Sequence, residues 1–315
     1  MGPPRAPMTR AERTQGSLAL PAVRVLANDA TRRLTAGAIV ALLALSGCGG
    51  GRSTSPTATS VNIAPRGGHN AKSPPASRRS VPALVPPSNA QLRTVRVPVL
   101  TYHRVAPLSA AGVPDLKVDP VNFAAELRAL HDSGYHTIHQ YQLFDALYKG
   151  ASLPRKPIII SVDDGYVDDV RTILPDLQRW HMVATFFVIT GRMTEPGFLT
   201  ADQIRELDGA GMDVGDHTAH HLDLPMLTAA ELRAETAGSR KVLDAVLGHP
   251  VYYFAYPFGA YNGAVVDAVR SAGFTMAYTT AGGITESTDS PLTMPRVHVG
   301  RAETPEGLLS VLGGG

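Results

Sequence analysis

The chain has 315 residues, 29 Lys plus Arg against 27 Asp plus Glu for a formal net charge of +2, and one cysteine. Balanced charge with dispersed arginines leaves no basis for nucleic-acid binding, and a single cysteine excludes an internal disulfide. Once about ninety N-terminal residues without globular patterning are set aside, the remaining length fits one large α/β domain.

Arg32 and Arg33 precede an apolar segment, Leu34 to Leu45, which runs into Ser46, Gly47 and Cys48. Residues 1–48 thus resemble a bacterial lipoprotein signal, in which Cys48 becomes the lipidated new N-terminus and anchors an exported protein at the outer face of the membrane. The apolar core is too short for a comfortable spanning helix. Residues 49–93 are rich in Ser, Pro, Gly, Thr and Ala and contain no aromatic residue. Such a stretch cannot bury enough apolar surface to offset chain entropy, which predicts a disordered tether.

From residue 94 onward the pattern alternates between strand and helix. Val97 to Tyr102 reads as an apolar strand, and Phe123, Leu127 and Leu130 recur at helical spacing before Gly134. A strand follows around His136 to His139, and another at Ile158 to Val162. A helix near Asp168 to Trp180 leads to the β-branched and aromatic run Val183 to Ile189. Thr200 with Gln203 and Thr228 with Glu231 are capping boxes that open two helices. A strand at Tyr252 to Tyr256, a helix from Gly263 to Ser271 and a last helix opened by Thr304 and Pro305 complete the series. This repetition predicts a mainly parallel sheet, which closes into a barrel.

Two clusters carry chemistry. The strand at Ile158 to Val162 runs into Asp163, Asp164 and Gly165, so it delivers two adjacent carboxylates to the strand-end rim where catalytic groups gather. One can ligate a divalent metal while the other takes a proton from a water that the metal acidifies. The second cluster is His217, Thr218, Ala219, His220 and His221. A spacing of four on a helical turn would put His217 and His221 on one face and leave His220 to packing. Two imidazoles and one carboxylate leave a coordination position open for water. Two acids at a turn are by themselves more often a solvated cap; the buried strand and the distant histidine pair favour a hydrolytic metal site.

Ser161 to Gly165, His217 to His221 and Tyr256 to Gly259 resemble, in order, three motifs of the polysaccharide deacetylase family, also called the NodB-homology or carbohydrate esterase family 4 domain. The resemblance runs from about Val95 to about Leu312. It implies an irregular (β/α) barrel of about seven units over residues 94–315, preceded by the disordered N-terminal region. It also implies a metal held by Asp164, His217 and His221, with zinc the default and cobalt, nickel or iron compatible. Asp163 would be the base. Backbone N–H groups near Tyr166 would help to stabilise the oxyanion, and Tyr166, Tyr256, Pro257 and Phe258 would line the substrate site. The implied reaction removes N-acetyl groups from N-acetylglucosamine units of poly-N-acetylglucosamine or the peptidoglycan glycan.

The sequence departs from the commoner pattern at Ala255, where many relatives carry an Arg that orients the catalytic Asp. The stretch YFAYPFG is closer to the poly-N-acetylglucosamine deacetylase branch, whose motif order is circularly permuted. In that branch an early strand supplies the acid, which points to His103 in PVLTYHRV. The unpermuted order would use His298, and Arg296 just before it offers a replacement guanidinium. Trp180 is assigned to core packing. An O-acetyl esterase acting on a polymer such as xylan would use the same triad. A non-catalytic wall-binding lipoprotein would be expected to lose one of Asp163, Asp164, His217 or His221, and all four are present.

Overall fold

The computed structural model of the chain describes residues 83–89 and 91–313. The predicted signal segment, Cys48 and most of the predicted tether lie outside them. Among the described residues no helix is long and apolar enough to cross a membrane.

Eight strands build the central sheet: β1 (Val99–Tyr102), β2 (His136–Thr137), β3 (Pro157–Val162), β4 (Thr185–Val188), β5 (Asp213–Asp216), β6 (Tyr253–Ala255), β7 (Met276–Tyr278) and β8 (Val297–His298). Their order is β7-β6-β5-β4-β3-β1-β8, with β2 paired to the start of β3, and every pairing is parallel. Parallel strands need crossovers, supplied mainly by α1 (Pro120–Asp132), α2 (Gln140–Lys149), α3 (Leu174–Arg179), α4 (Ala201–Gly209), α5 (Ala229–Arg233), α6 (Ser239–Leu247), α7 (Gly263–Ser271) and α8 (Pro305–Gly313). The sheet curls into a half-barrel. Its edge strands β7 and β8 are not paired with each other. The chain entering β8 spans that gap, with Ala277 N–H donating to Pro291 O, Thr279 N–H to Met294 O and Arg296 N–H to Ala281 O (2.9, 2.9 and 2.8 Å).

Strand side chains alternate between two cores. Leu100, Tyr102, Ile158, Ile160, Val162, Phe186 and Phe254 face the layer between sheet and helices, where they meet Phe123, Leu127 and Leu130 of α1 and the apolar faces of the later helices. Val99, Ile159, Phe187, Tyr253, Ala255 and Tyr278 fill the concave side, closed by Leu143, Phe144 and Leu147 of α2. Burial on both faces is why the strands read as continuous apolar runs. The same alternation, carried past the strand ends, decides which residues reach the interior of the rim.

The sequence reading missed α2, β5 and β7. In β5 the sequence Asp213, Val214, Gly215, Asp216 is poor in strand-forming residues. Gly215 is needed there because a Cβ would collide with the Phe187 ring. The predicted helix at Asp168 to Trp180 is a π-turn, Asp169–Ile173, running into α3. The described end of the predicted tether packs on the domain. Leu84 is buried in the concave core, Arg93 donates to the Ala146 carbonyl (3.1 Å), and Thr94–Val95 pairs antiparallel with Glu286–Ser287. The domain therefore begins earlier than composition suggests.

Candidate metal centre

Because all strands run in parallel, their C-terminal ends share one rim. His103 follows β1, Asp163 and Asp164 follow β3, His217 follows β5, Pro257 and Phe258 follow β6, and His298 ends β8. Asp164, His217 and His221 converge there, and their ligand atoms all lie within 4.8 Å of one another. The Nε2 atoms of both histidines stand 3.6 Å from Asp164 Oδ1. Ligand atoms about 2.0–2.2 Å from a tetrahedral zinc ion are roughly 3.3–3.6 Å apart, so the two Asp164–histidine separations suit such an ion.

The local chain bends sharply to bring these atoms together. Six described non-glycine residues have positive φ, and four belong to the site: Asp164 (80°), Thr218 (68°), His221 (55°) and Phe258 (59°). Left-handed non-glycine residues cost roughly 1–3 kcal/mol each, so the surrounding contacts must hold them in place. The histidine cluster is not the helical turn that its spacing suggested. It is a loop in which Thr218 N–H donates to Asp216 Oδ1 (2.7 Å) and His221 N–H to Thr218 Oγ1 (2.9 Å). His220 turns away, with its N–H and Nδ1 on the two carboxylate oxygens of Glu235 (2.8 and 2.7 Å).

Electrostatics suit a cation at this point. Burial holds His217 down at about 3, so the ring is neutral. Its Nδ1–H donates to the Ala255 carbonyl (2.7 Å), which leaves the Nε2 lone pair aimed at Asp164. His221 is likewise lowered by burial. Burial, then the charge of Asp163, push Asp164 up to about 7. A divalent ion between these groups would reverse that and keep the carboxylate ionised.

Asp163 behaves oppositely. Burial alone would raise it, but Arg296 holds it well below the ordinary carboxylate range. The Arg296 Nη1 and Nη2 groups donate to Asp163 Oδ1 and Oδ2 (2.8 and 2.7 Å), Nη1 also to Ser161 Oγ (3.2 Å), and Nε to the Thr279 carbonyl (3.0 Å). The guanidinium reaches Asp163 across the Phe187 and Tyr278 rings. Ala255 thus faces a space that Arg296 enters from the opposite edge of the sheet.

The two proposed acids meet at the same rim. Val297–His298 pairs with Leu100–Thr101, and the His103 and His298 rings lie 5.8 Å apart. His103 is partly buried, with Nδ1 unpartnered, and burial lowers it to about 4 against the opposing charge of Asp163. His298 is exposed.

Of the expected substrate wall, Phe258 is 65% exposed and packs edge-on against His221 (4.6 Å). Pro257 is buried beneath it. Tyr256 does not belong to the wall. It faces the outer layer, against Phe254, and donates its hydroxyl to the Leu292 carbonyl (2.8 Å), because the strand alternation that turns Ala255 inward turns Tyr256 outward. Tyr166 stacks on Phe198 (4.8 Å) at the rim. Trp180 lies far from this set, packed against His131 of α1. Arg192, which the sequence gave no reason to single out, exerts its charge on Asp164, His221 and Tyr166.

Residues 150–277 match the family model for polysaccharide deacetylase. The chain is 30% identical to a polysaccharide deacetylase from Bacillus cereus, BC0361, whose crystal structure superposes with a TM-score of 0.63 over 70% of this chain and 69% of that one. The Streptococcus pyogenes deacetylase PplD, solved in complex with acetate, is 27% identical with a TM-score of 0.65 over 70% of this chain and 99% of its own. A poly-beta-1,6-N-acetyl-D-glucosamine N-deacetylase of Staphylococcus aureus is 22% identical over 215 residues, covering 60% of this chain and 73% of the relative. Sequence motifs, curled parallel sheet and relatives agree: the chain belongs to the polysaccharide deacetylase family, hydrolases acting on carbon–nitrogen bonds other than peptide bonds.

Proposed function

We propose that this protein removes N-acetyl groups from N-acetylglucosamine units of a cell-surface or cell-wall glycan, using a divalent metal, zinc by default. The observation that carries the reading is the pairing of a three-ligand set, Asp164, His217 and His221, with a second carboxylate beside it that Arg296 keeps ionised. The metal would polarise the acetamide carbonyl and acidify a water. The chain's own residues supply the rest. Asp163 takes a proton from the attacking water, whose oxygen bonds to the carbonyl carbon. His103 is neutral at rest because burial lowers it to about 4. It relays the proton that Asp163 took from the water to the nitrogen as the carbon–nitrogen bond breaks, so that the amine leaves and acetate is released. A backbone N–H near Tyr166 stabilises the developing oxyanion, and Phe258 walls the acetyl side. Lipidation at Cys48 and a tether would keep the domain at the outer membrane face, within reach of such polymers.

An amine is a poor leaving group and needs the acid, whereas an alkoxide from an O-acetyl ester needs it less. A His103→Ala variant should therefore lose about 10²–10⁴-fold in turnover of N-acetylglucosamine oligomers and much less on acetylated xylan. Equal losses on both, or turnover of the xylan alone by the parent protein, would move it to the esterase class. Abolition by His298→Ala with His103→Ala active would reassign the acid.

A further inference from the structure

Four side chains stack in one column at the rim of the metal centre. The Arg104 guanidinium lies over the Tyr166 ring (4.6 Å), Tyr166 stacks on Phe198 (4.8 Å, 26° between planes), and the Arg192 guanidinium lies over Phe198 (4.8 Å). The two cations at its ends differ. Arg104 is neutralised by Asp168 at 2.8 Å and also donates to the Ala111 carbonyl. Arg192 enters no ion pair or side-chain hydrogen bond among the described residues, although its field reaches Asp164 and His221. The neighbouring Asp163 is already matched by Arg296. Stacking therefore holds one guanidinium in place beside the site without discharging it, and leaves its N–H fork free to bind a planar anion. Next to the column runs a groove of about 550 Å³ lined in part by Val167, Met193, Pro196 and Phe198, which gives adjoining sugars room. The charges lining that groove, Arg171 and Glu195, are one of each sign.

We propose that Arg192 is a specificity-determining residue that binds a carboxylate on the sugar next to the one being deacetylated, so that the site selects an acidic glycan over a neutral polymer of N-acetylglucosamine. The proposal rests on the deacetylase reading. A glycan alternating N-acetylglucosamine with its lactyl ether, N-acetylmuramic acid, carries such a carboxylate on every second sugar, and a homopolymer of N-acetylglucosamine carries none.

The test compares, on the full-length zinc-loaded protein, acetate release from that alternating tetrasaccharide and from the same compound with its carboxyls reduced to alcohols. The acidic form should have a KM about tenfold lower at low salt, a difference that shrinks at high salt. Arg192→Gln should give the two compounds equal KM values, and Arg192→Lys should restore part of the preference. A parent protein that treats both compounds alike, or an Arg192→Gln variant that still prefers the acid, would overturn the assignment. Absence of acetate release from every compound would instead sink the deacetylase reading. Calorimetric binding of the two tetrasaccharides to the parent protein then decides the anion preference alone, with equal Kd values counting against it.

Discussion

Asp163 and Asp164 are adjacent in sequence and opposite in chemistry, and the reason lies in what each meets. Asp163 points into the interior against Arg296, while Asp164, on a left-handed residue, turns toward the two histidines. The identities of the acids and histidines were legible in the sequence because each stands at a recognisable strand end or motif. Arg296 was also legible as the replacement guanidinium, from its place just before a strand, although it lies 133 residues away; what the sequence did not show is that it approaches across the gap in the sheet. Tyr256 was misread because motif membership says nothing about which face of β6 a side chain takes. If Arg296 keeps Asp163 ionised, Arg296→Ala should let burial dominate. The base would then protonate at higher pH, the acid limb of the kcat/KM profile would move upward, and turnover near pH 7 should fall by about 10²-fold or more. Because a buried carboxylate loses its partner, stability should also fall by about 3–5 kcal/mol. An unchanged rate and pH profile in a folded variant would reject this role.

At the scale of elements, the histidine-bearing loop after β5 is held by the segment that follows α5. That segment, Ala234–Gly238, is a π-turn, and it carries the buried Glu235 whose two oxygens hold the His220 N–H and ring. The capping box that opens α5 was readable in the sequence; the π-turn was not, because one extra residue in a helical turn leaves no mark on apolar spacing. The helical reading of the histidine cluster failed for a related reason, since spacing alone cannot tell a helix from a loop held by side-chain hydrogen bonds. Removing this clamp should loosen His221 without touching the ligands. Glu235→Gln should weaken zinc affinity about tenfold, measured by competition with a chelating dye, while kcat at saturating zinc stays within a few-fold of the parent. An unaltered affinity would mean that the loop holds its shape without the clamp.

Across the whole molecule, the βα repetition made a parallel α/β fold legible, because two-sided burial gives strands a continuous apolar signature. The manner of closure was less so, since the stretch entering β8 joins the sheet edges by single hydrogen bonds rather than as a regular strand. The antiparallel pair formed by Thr94–Val95 and Glu286–Ser287 also buries an acid at the fold's edge. Glu286 is fully buried with neither oxygen partnered, and burial pushes it from its ordinary 4.5 up to about 8. Between these values the folded state holds a proton that the unfolded state has released, so this group lowers stability as pH rises, by at most about 1.4 kcal/mol per pH unit. Chemical denaturation at pH 5 and pH 8 should show Glu286→Gln losing less stability than the parent over that interval, by a few kcal/mol at most. An equal loss in both proteins would place the proton elsewhere.

The most direct test of the metal-dependent deacetylase account is acetate release from N-acetylglucosamine oligomers by the full chain with one equivalent of zinc, beside an Asp164→Ala control. The account predicts release that a chelator abolishes, that zinc restores, and that the control lacks at every zinc concentration. Release that persists undiminished in the control, or that ignores the chelator, would contradict it.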